Sequence, residues 1–471
     1  MSTPLGPRSP FATSAPAAPA GPSAPPAPSA PIDASAPTAG TPSAVLSNRN
    51  FRWIAAASLV SMLGDQFTLV ALPWLVLQVS GDPLTLGTVM AAMGLPRALL
   101  LLVGGAVVDR HAPRRVLLTT HQISAVLLGA LALLVATGHA SSALIHVFAV
   151  TLGVTTAFAH PASSALLPRA LPPALIRPAN GLLMAMRQAT MLIGPVAGAA
   201  LIAHGWHGHT VAGSPAPAAT VLRDATGLSW AFAFDACSFA LAACALIPVA
   251  LLAVPSASTA STRPSIAASI AEGLGTLWRD RLLRTLCLYV AAVSLLIGGP
   301  LQVALPLLAE RQLHGDASTL GLLMAGHGAG VLTGLLLAGW KPDWRVGTLG
   351  ATVLTIDALA GAVFIALGHA TRTWEAIALL APIGMLAGFV QVAVMSWIQR
   401  RVPPRMLGRA MSVLLCIVMG LAPLSAAGAG WLLRIVPTST VFTVCGAAML
   451  VIVAIGAMAT PLRRIEESHA V

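Results

Sequence analysis

The sequence is poor in charge. Only 9% of its 471 residues are Asp, Glu, Lys or Arg, whereas a soluble globular protein carries about 25%. Hydrophobic residues make up 56% of the chain and the mean hydropathy is +0.84, which argues against a soluble protein. Apolar stretches long enough to cross a bilayer as helices recur along the chain. Together these features predict an all-α membrane protein whose partners include membrane lipids.

Motifs for several chemistries are also missing. The five cysteines form no C-x-x-C pair, so neither a disulfide framework nor a zinc site is predicted. The sequence has no Gly-x-x-x-x-Gly-Lys-Ser/Thr string for ATP binding, no paired carboxylates, no nucleophile motif and no cluster of metal ligands. We therefore predict no enzymatic activity, no cofactor and no metal. The net charge of +11 is assigned to basic loops at the membrane surface rather than to nucleic-acid binding.

Twelve apolar segments predict twelve transmembrane helices. Some exceed the roughly 20 residues needed to span a bilayer, which allows for tilt. The predicted segments are 51–79, 84–108, 115–137, 142–166, 178–204, 228–252, 281–310, 318–340, 346–368, 374–400, 405–433 and 438–460.

The remaining segments divide the chain. Residues 1–46 are rich in Pro, Ala and Ser and are predicted to be a disordered tail. Two six-helix bundles are expected at 47–252 and 281–460. The linker 253–280 is expected to contain a surface helix over 265–279, and 461–471 to form a C-terminal tail.

The basic residues predict the orientation. If Asp109 is cytoplasmic, twenty of the 26 Lys and Arg residues fall on the cytoplasmic side and only four on the outside. Basic residues accumulate in cytoplasmic loops of membrane proteins. We therefore expect both termini to be cytoplasmic, in the inner membrane of a bacterium.

The two halves repeat. The string VALP at 70–73 recurs at 303–306, and the Gly-Asp pair at 81–82 recurs at 315–316. Gly105 and Asp109 match Gly339 and Asp343, 234 residues later. Because the copies lie six spans apart, they share an orientation, as in parallel transporter repeats. The copy that contains Gly339 and Asp343 is degenerate, since Trp344 stands at the position that matches Arg110.

A basic string follows the second segment. Gly105 is followed by Asp109-Arg110 and then by Arg114-Arg115, between two long apolar helices. Asp109 ends its helix, where the helix dipole disfavours a negative charge, so it needs a positive partner. This string resembles the signature loop of the major facilitator superfamily. The resemblance covers residues 50–460 and implies two six-helix bundles, with the loop on the cytoplasmic side.

Further strings narrow the resemblance. LGDQ at 63–66, LPR at 95–97, RQ at 187–188 and WRD at 278–280 resemble a bacterial exporter subgroup that includes enterobactin and macrolide efflux proteins. Gly194-Pro195-x-x-Gly198 resembles the antiporter motif of the fifth span, with Ala199 in place of its usual last glycine. The resemblance implies efflux. Since Pro kinks a helix and Gly permits close packing, the motif is also explained as a packing seam, with or without a role in preventing leakage.

Five ionisable residues lie within the predicted spans, each at a cost of about 2.5–3.5 kcal/mol at a helix centre. At about 1.5 Å per residue, Asp65, Arg97 and Arg187 lie roughly 21, 18 and 14 Å from the cytoplasmic end. Similar depths predict an Asp65–Arg97 ion pair, for which Arg187 competes. Either Asp65 gains and loses a proton during transport, or the pair is permanent and structural. Asp235 and Asp357 fall in segments 6 and 9, which the resemblance places at the periphery of the fold, and they are expected to pack or to form hydrogen bonds, with a role in transport as the alternative.

The remaining interior candidates are weaker. His160 and His327 are expected either to bond a backbone carbonyl or to titrate, and His204, His207 and His209 to lie in a solvated loop. Aromatic and amide side chains on segments 1, 4, 7 and 10 suit bulky lipophilic ligands. These candidate cavity contacts, which packing against helices or lipid also explains, are Gln66, Phe67, Trp74, Phe158, Gln302, Phe389, Gln391 and Trp397.

These features favour a monomeric secondary exporter of small amphipathic molecules, of drug or siderophore type, that exchanges its substrate for protons by alternating access. An importer or a lysophospholipid flippase of the same fold is an alternative. A non-transporting membrane scaffold or receptor is a second alternative, against which the costly intramembrane charges argue.

Overall fold

A computed structural model describes residues 42–204, 225–252, 275, 278–341, 344, 346–402 and 404–464. Twelve helices in this part are long and apolar enough to cross a membrane, as predicted. They are α1 (Arg49–Ser80), α2 (Pro83–Arg110), α3 (Pro113–Ala136), α4 (Ser142–Ala170), α5 (Pro173–His204), α6 (Ala225–Leu246), α7 (Arg281–Gln312), α8 (Ala317–Trp340), α9 (Leu349–Gly368), α10 (Thr373–Arg401), α11 (Pro404–Leu432) and α12 (Thr438–Ala459).

We call the end of the bundle at which α1 begins and α12 finishes the terminal face, and the opposite end the distal face. A short helix, Pro42–Ser47, precedes α1. The predicted tail is wrong for these last residues, because Val45 is fully buried at the terminal face. Residues 1–41, residues 205–224 with the predicted loop that holds His207 and His209, and most of the predicted surface helix lie outside the described residues.

Local sequence signals explain where the helices begin. Asp82 caps α2 by accepting hydrogen bonds from the backbone N–H groups of Leu84 and Thr85, and Pro83 occupies the first turn, where no N–H is needed. Asp316, the repeat partner of Asp82, caps α8 through the N–H of Thr319. The repeated Gly-Asp pairs therefore perform the same task in both halves.

Helix packing repeats in the same way. In the first half, α1 packs on α5 and α6, α2 on α4, and α3 on α4 and α6. In the second half, α7 packs on α11 and α12, α8 on α10, and α9 on α10 and α12. Each second-half pair is the first-half pair with six added to both numbers. The predicted parallel repeat of two six-helix bundles is confirmed.

One repeated string differs in backbone conformation. VALP at 70–73 lies in the regular part of α1. Its copy lies at the junction of Pro300–Ala304, a π-helical turn, with Leu305–Leu307, and a second π-helical turn follows at Leu308–Gln312. π-Helical turns are rare and occur often at functional sites. The sequence repeat alone does not distinguish the two helices.

The halves meet mainly through two helix pairs, α2 with α11 and α5 with α8. Gly87 and Gly430 allow α2 and α11 to approach, since a Cβ at Gly430 would lie 2.6 Å from the Pro83 carbonyl oxygen and 3.0 Å from the Gly87 Cα. Near the terminal face, by contrast, a Cβ on Gly105 of α2 or on Gly339 of α8 would meet no atom within 4 Å.

The buried core divides along the membrane normal. On the distal side, one cluster, here called the distal cluster, joins both halves, with members such as Leu75 and Phe232 from the first half and Leu307 and Phe364 from the second. On the terminal side, each half has its own cluster, one containing Phe51 and Leu166 and the other containing Leu286 and Trp397. The halves are packed together distally and have separate cores at the terminal face.

Candidate transport site

Three intramembrane charges lie in one layer of the first half. Asp65, Arg97 and Arg187 fall between the distal cluster and the first-half terminal cluster along α1, α2 and α5 respectively. Asp65 interacts electrostatically with both arginines. The side chains of Asp65 and Arg187 are exposed and that of Arg97 is half-buried, so this layer is open to the space that the terminal-side separation of the halves creates.

The expected Asp65–Arg97 ion pair is not formed in this conformation. No salt bridge joins Asp65 to either arginine in the described part of the chain. Instead, the Arg97 guanidinium donates to the Met419 sulfur on α11 at 2.8 Å. A thioether is a weak acceptor, so this contact is one that a carboxylate or a ligand can replace. Depth along the helices predicted which charges lie near one another but not their pairing.

Two further ionisable residues join this layer. His160 on α4 is exposed and interacts electrostatically with Arg187 and Arg97. Asp235 on α6 interacts with Asp65, but it is only 1% exposed. Asp235 Oδ2 accepts a hydrogen bond from the Thr68 hydroxyl, and Oδ1 accepts one from Ser238 at 3.1 Å.

Hydrogen bonding of Asp235 was expected from the sequence; its position against α1 beside Asp65 was not. The only available signal was Gly64, which precedes Asp65. A Cβ at Gly64 would collide with the Ser238 hydroxyl and with Asp235 Oδ1, so glycine is what allows this part of α6 to lie against α1.

We therefore expect Gly64→Ala to destabilise the protein by about 1–3 kcal/mol, the usual cost of overpacking, because α1 and α6 must separate around the new methyl group. Gly105→Ala is the matched control, since the space at Gly105 is open. Thermal unfolding of both purified variants, followed by tryptophan fluorescence, should show a lower midpoint for Gly64→Ala only. Equal midpoints would contradict the tight packing.

The two remaining intramembrane candidates lie in the second half. Asp357 on α9 accepts a hydrogen bond from the Tyr289 hydroxyl at 2.6 Å, as expected for a structural residue. His327 on α8 is half-buried.

The cavity candidates fall into two groups. Phe67, Trp74 and Trp397 are at most 5% exposed. Phe67 stacks on Phe234 of α6 at 4.3 Å between ring centroids, and Trp397 belongs to the second-half terminal cluster. These three side chains pack between helices and do not line open space. Gln66, Phe158 and Phe389 are half-buried, and Gln302 and Gln391 are exposed.

The antiporter-like motif lies at the junction of three helices. Gly194 packs on Gln66, and Gly198 packs on Phe67, with its Cβ position 3.1 Å from the Phe67 Cα. On its other side, the Pro195 carbonyl lies against Gly321 of α8, in the second half. The motif thus holds α5 against α1 in its own half and against the other half.

The signature loop is tied to α6. The Arg114 side chain donates to the carbonyl oxygens of Leu246, at 2.9 Å, and Ile247, where a positive charge is favourable at a helix C-terminus. Arg110 and Arg115 are exposed. The side chain of Asp109 and the whole of Asp343 lie outside the described residues, so their expected partners stay a prediction.

The distal face carries contacts between the halves that sequence reasoning missed. Arg434, just after α11, donates two hydrogen bonds to the Asp82 carboxylate, at 2.7 and 2.8 Å. Arg311, at the end of α7, donates to the Gly81 carbonyl at 2.7 Å. Arg434 holds the pKa of Asp82 well below its usual range, and Asp82 in turn raises the pKa of Arg434. We call these contacts the distal latch.

Two repeated six-helix halves, packed together at one face and separate at the other around an interior layer of charges, define a membrane transporter. The chain belongs to the Major Facilitator Superfamily, whose model matches residues 54–427.

Named relatives agree with this assignment. The chain is 28% identical over 387 residues to the multidrug efflux pump Tap of Mycobacterium bovis, covering 80% of this chain and 85% of that one. It is 26% identical over 425 residues to Tap of Mycolicibacterium fortuitum, covering 88% and 96%.

Solved structures match at the level of fold. The nucleoside transporter NupG has a TM-score of 0.65 at 13% identity, with 87% of this chain and 99% of that chain covered. A bacterial homolog of the human lysosomal transporter Spinster, in an inward-facing and unoccupied conformation, has a TM-score of 0.63 at 16% identity, with 91% and 99% covered. The protein is thus a multi-pass membrane transporter.

Proposed function

We propose that this chain exports small amphipathic molecules, of drug or siderophore type, in exchange for protons. The observation that carries the proposal is a carboxylate, Asp65, exposed at membrane depth and in electrostatic contact with Arg97 and Arg187. A charge in this position is costly, so an ionisable residue there indicates a role in transport or in pairing. The similarity to multidrug efflux pumps supports export over import.

The division of the core supports a transport cycle of alternating access. One shared cluster closes the distal face, whereas the two terminal clusters are separate. If the terminal face is cytoplasmic, as the basic residues indicate, this conformation is open to the cytoplasm. Substrate enters from that side, the halves rock about the central layer, and the distal latch opens to release it.

Proton exchange completes the cycle. In the outward-open state a proton from outside neutralises the Asp65 carboxylate, and in the inward-open state that proton leaves to the cytoplasm. The guanidinium groups of Arg97 and Arg187 attract the carboxylate and not the acid, so any movement of either arginine changes how readily Asp65 holds the proton. This dependence couples the charge of Asp65 to the conformation.

The substrate contacts of this proposal are side chains near the charged layer that are not packed away, namely Gln66, Phe158, Gln302, Phe389 and Gln391. Their mixture of aromatic rings and amides suits bulky lipophilic ligands with few polar groups. The signature loop and the antiporter-like motif act on conformation rather than on substrate. We place the protein in a bacterial inner membrane as a monomer, with both termini cytoplasmic and with the two bundles at 47–252 and 281–460.

Inverted membrane vesicles test this proposal. The vesicles hold a pH-sensitive dye and an acidic interior, and a panel of lipophilic drugs and siderophores is added outside. We expect at least one compound to dissipate the gradient only when the protein is present, because substrate entering the vesicle is exchanged for a proton leaving it. A panel that moves no protons, or a compound that crosses the membrane in the same direction as the protons, would contradict export in exchange for protons.

A further inference from the structure

Asp235 is a buried acid with no cationic hydrogen-bond partner in the described part of the chain. It lies ten residues after the start of α6, about 15 Å from that end of the helix, and is 1% exposed. Its hydrogen-bond partners are the hydroxyl groups of Thr68 and Ser238. Among the residues that the structure describes, no Arg, Lys or His side chain bonds this carboxyl group.

This setting suits a neutral carboxyl group. Burying an ionised carboxylate without a compensating charge costs far more than burying its protonated form. The Thr68 hydroxyl reduces that cost without neutralising the charge, and the single Ser238 hydroxyl proton is shared with the Asp235 backbone carbonyl oxygen, 2.7 Å away. A protonated acid adds one donor of its own, and a threonine hydroxyl can accept that hydrogen bond as well as donate one.

Asp65 lies on α1, close to the place where α1 packs against Asp235 of α6. Gly64 brings α1 against Asp235 and Ser238, and Asp65 is the next residue. Thr68 is three residues beyond Asp65 and therefore on a neighbouring part of the same helix surface. The Thr68 hydroxyl is thus bonded to the buried acid, Asp235, and belongs to the same part of the α1 surface as the exposed acid, Asp65.

We propose that Asp235 is a second proton-carrying residue, which shares one proton with Asp65 through the Thr68 hydroxyl. When the proton leaves Asp235, Thr68 accepts it and passes its own hydroxyl proton towards Asp65, so that one carboxylate and one carboxylic acid are present before and after. Asp235 holds the proton away from water, and Asp65 exchanges it with the central space. The inference rests on the proposed function, in which Asp65 carries the transported proton.

The neighbours of Asp235 set its charge environment. From α1 it meets Asp65, and Arg187 is the charged residue that α5 places in the central layer. From α3 the nearest ionisable group is His121, which packs on Phe239, one turn along α6 from Asp235, at 5.3 Å between ring centroids. Arg114 and Arg115 lie at the far, terminal end of α3. Asp65 is thus the titratable group with which Asp235 interacts electrostatically.

Infrared difference spectroscopy of the purified full-length protein tests the pair without a substrate. A step from mildly alkaline to mildly acidic buffer reports the carbonyl stretch of protonated carboxyl groups. We expect Asp235→Asn to remove one component of this band. We expect Asp65→Asn to change both the frequency of the Asp235 component and the pH at which it disappears, and Thr68→Val to change its frequency, while Thr68→Ser restores it.

Asp357→Asn is the matched control, because Asp357 is also buried and bonded to one hydroxyl group, in the other half. It should remove its own component and leave that of Asp235 unchanged. A band that Asp235→Asn leaves intact, or an Asp235 component identical in wild type and Asp65→Asn, would overturn the inference. Circular dichroism and size-exclusion profiles confirm that each variant is folded.

The vesicle assay distinguishes failure of the proposed Asp65–Asp235 pair from failure of the proposed function. If Asp65→Asn abolishes proton exchange but the infrared bands show no Asp65–Asp235 coupling, only the second proton site is lost. If the bands are coupled but no compound moves protons, the acid pair stands and the export proposal fails.

Discussion

Replacing Asp65 by Asn should abolish proton-driven export and leave the protein folded. Asn has nearly the same volume and keeps one carbonyl oxygen, so the packing of Gly64 on α6 is preserved. It cannot gain or lose a proton, so the step that ties substrate movement to the proton gradient is removed. Gradient dissipation in inverted vesicles should fall to the level of vesicles that lack the protein.

The control separates proton coupling from general damage. Asp357 is an intramembrane acid of the second half, bonded to Tyr289 and outside the charged layer. Asp357→Asn should therefore retain export even if its stability drops. Exchange of substrate without a gradient should persist in Asp65→Asn, because both arginines and the cavity side chains are still present. Wild-type gradient dissipation by Asp65→Asn would make the carboxylate a structural residue.

Breaking the distal latch should shift the transporter towards the outward-open state. The double variant Asp82→Asn, Arg311→Gln removes the charged partner of Arg434 and the contact to the Gly81 carbonyl. Exposed ion pairs are individually weak, but in the proposed cycle these contacts join the halves in only one of the two states. Their loss therefore acts directly on the conformational equilibrium, and we expect the open population to rise several-fold.

Distances between spin labels measure this shift. Exposed His139 and His369 lie in distal-face loops of opposite halves, and cysteine at each can be labelled once the five native cysteines are replaced. The double variant should show a larger population at long distance. The single variant Asp82→Asn keeps a capping side chain for α2 and the Arg311 contact, so it should show a smaller shift than the double variant. Identical distributions in all three proteins would show that the latch does not hold the distal face closed.

The pH dependence of the latch has a definite sign. Since Arg434 lowers the pKa of Asp82 in the folded protein, the contribution of the ion pair is complete above the ordinary aspartate pKa of about 3.9. It is lost only as the pH falls through the lowered value. Between mildly acidic and alkaline pH the latch should be constant, and salt should weaken it. A conformational shift near neutral pH would therefore originate in groups other than the latch, such as the acids and histidines of the membrane interior.

The sequence predicted the architecture because its signals are strong and local. Long apolar runs give the twelve spans, and the repeated Gly-Asp pairs give the matched caps of α2 and α8. Position along each helix also placed Asp65, Arg97 and Arg187 in one layer. Each of these inferences depends on distance along a single helix, which the sequence contains directly.

The pairing of side chains could not be predicted in the same way. Asp235 lies against Asp65 because α6 packs on α1, and Arg434 reaches Asp82 because α11 packs on α2. Both contacts depend on how helices rotate about their axes. The burial of Phe67, Trp74 and Trp397 could not be predicted for the same reason, since hydropathy does not distinguish a ring that faces a cavity from one that packs between helices. Their burial became evident only in three dimensions.

Reconstitution into proteoliposomes tests the central claim most directly. A compound identified in the vesicle screen is supplied at equal concentration on both sides of the proteoliposome membrane, and a proton gradient of either sign is imposed across that membrane. We predict that wild-type protein accumulates the compound against its gradient only when protons flow in the opposite direction, and that Asp65→Asn does not accumulate it under either gradient. Accumulation that needs no proton gradient, or that follows the direction of proton flow, would contradict proton-exchange export through Asp65.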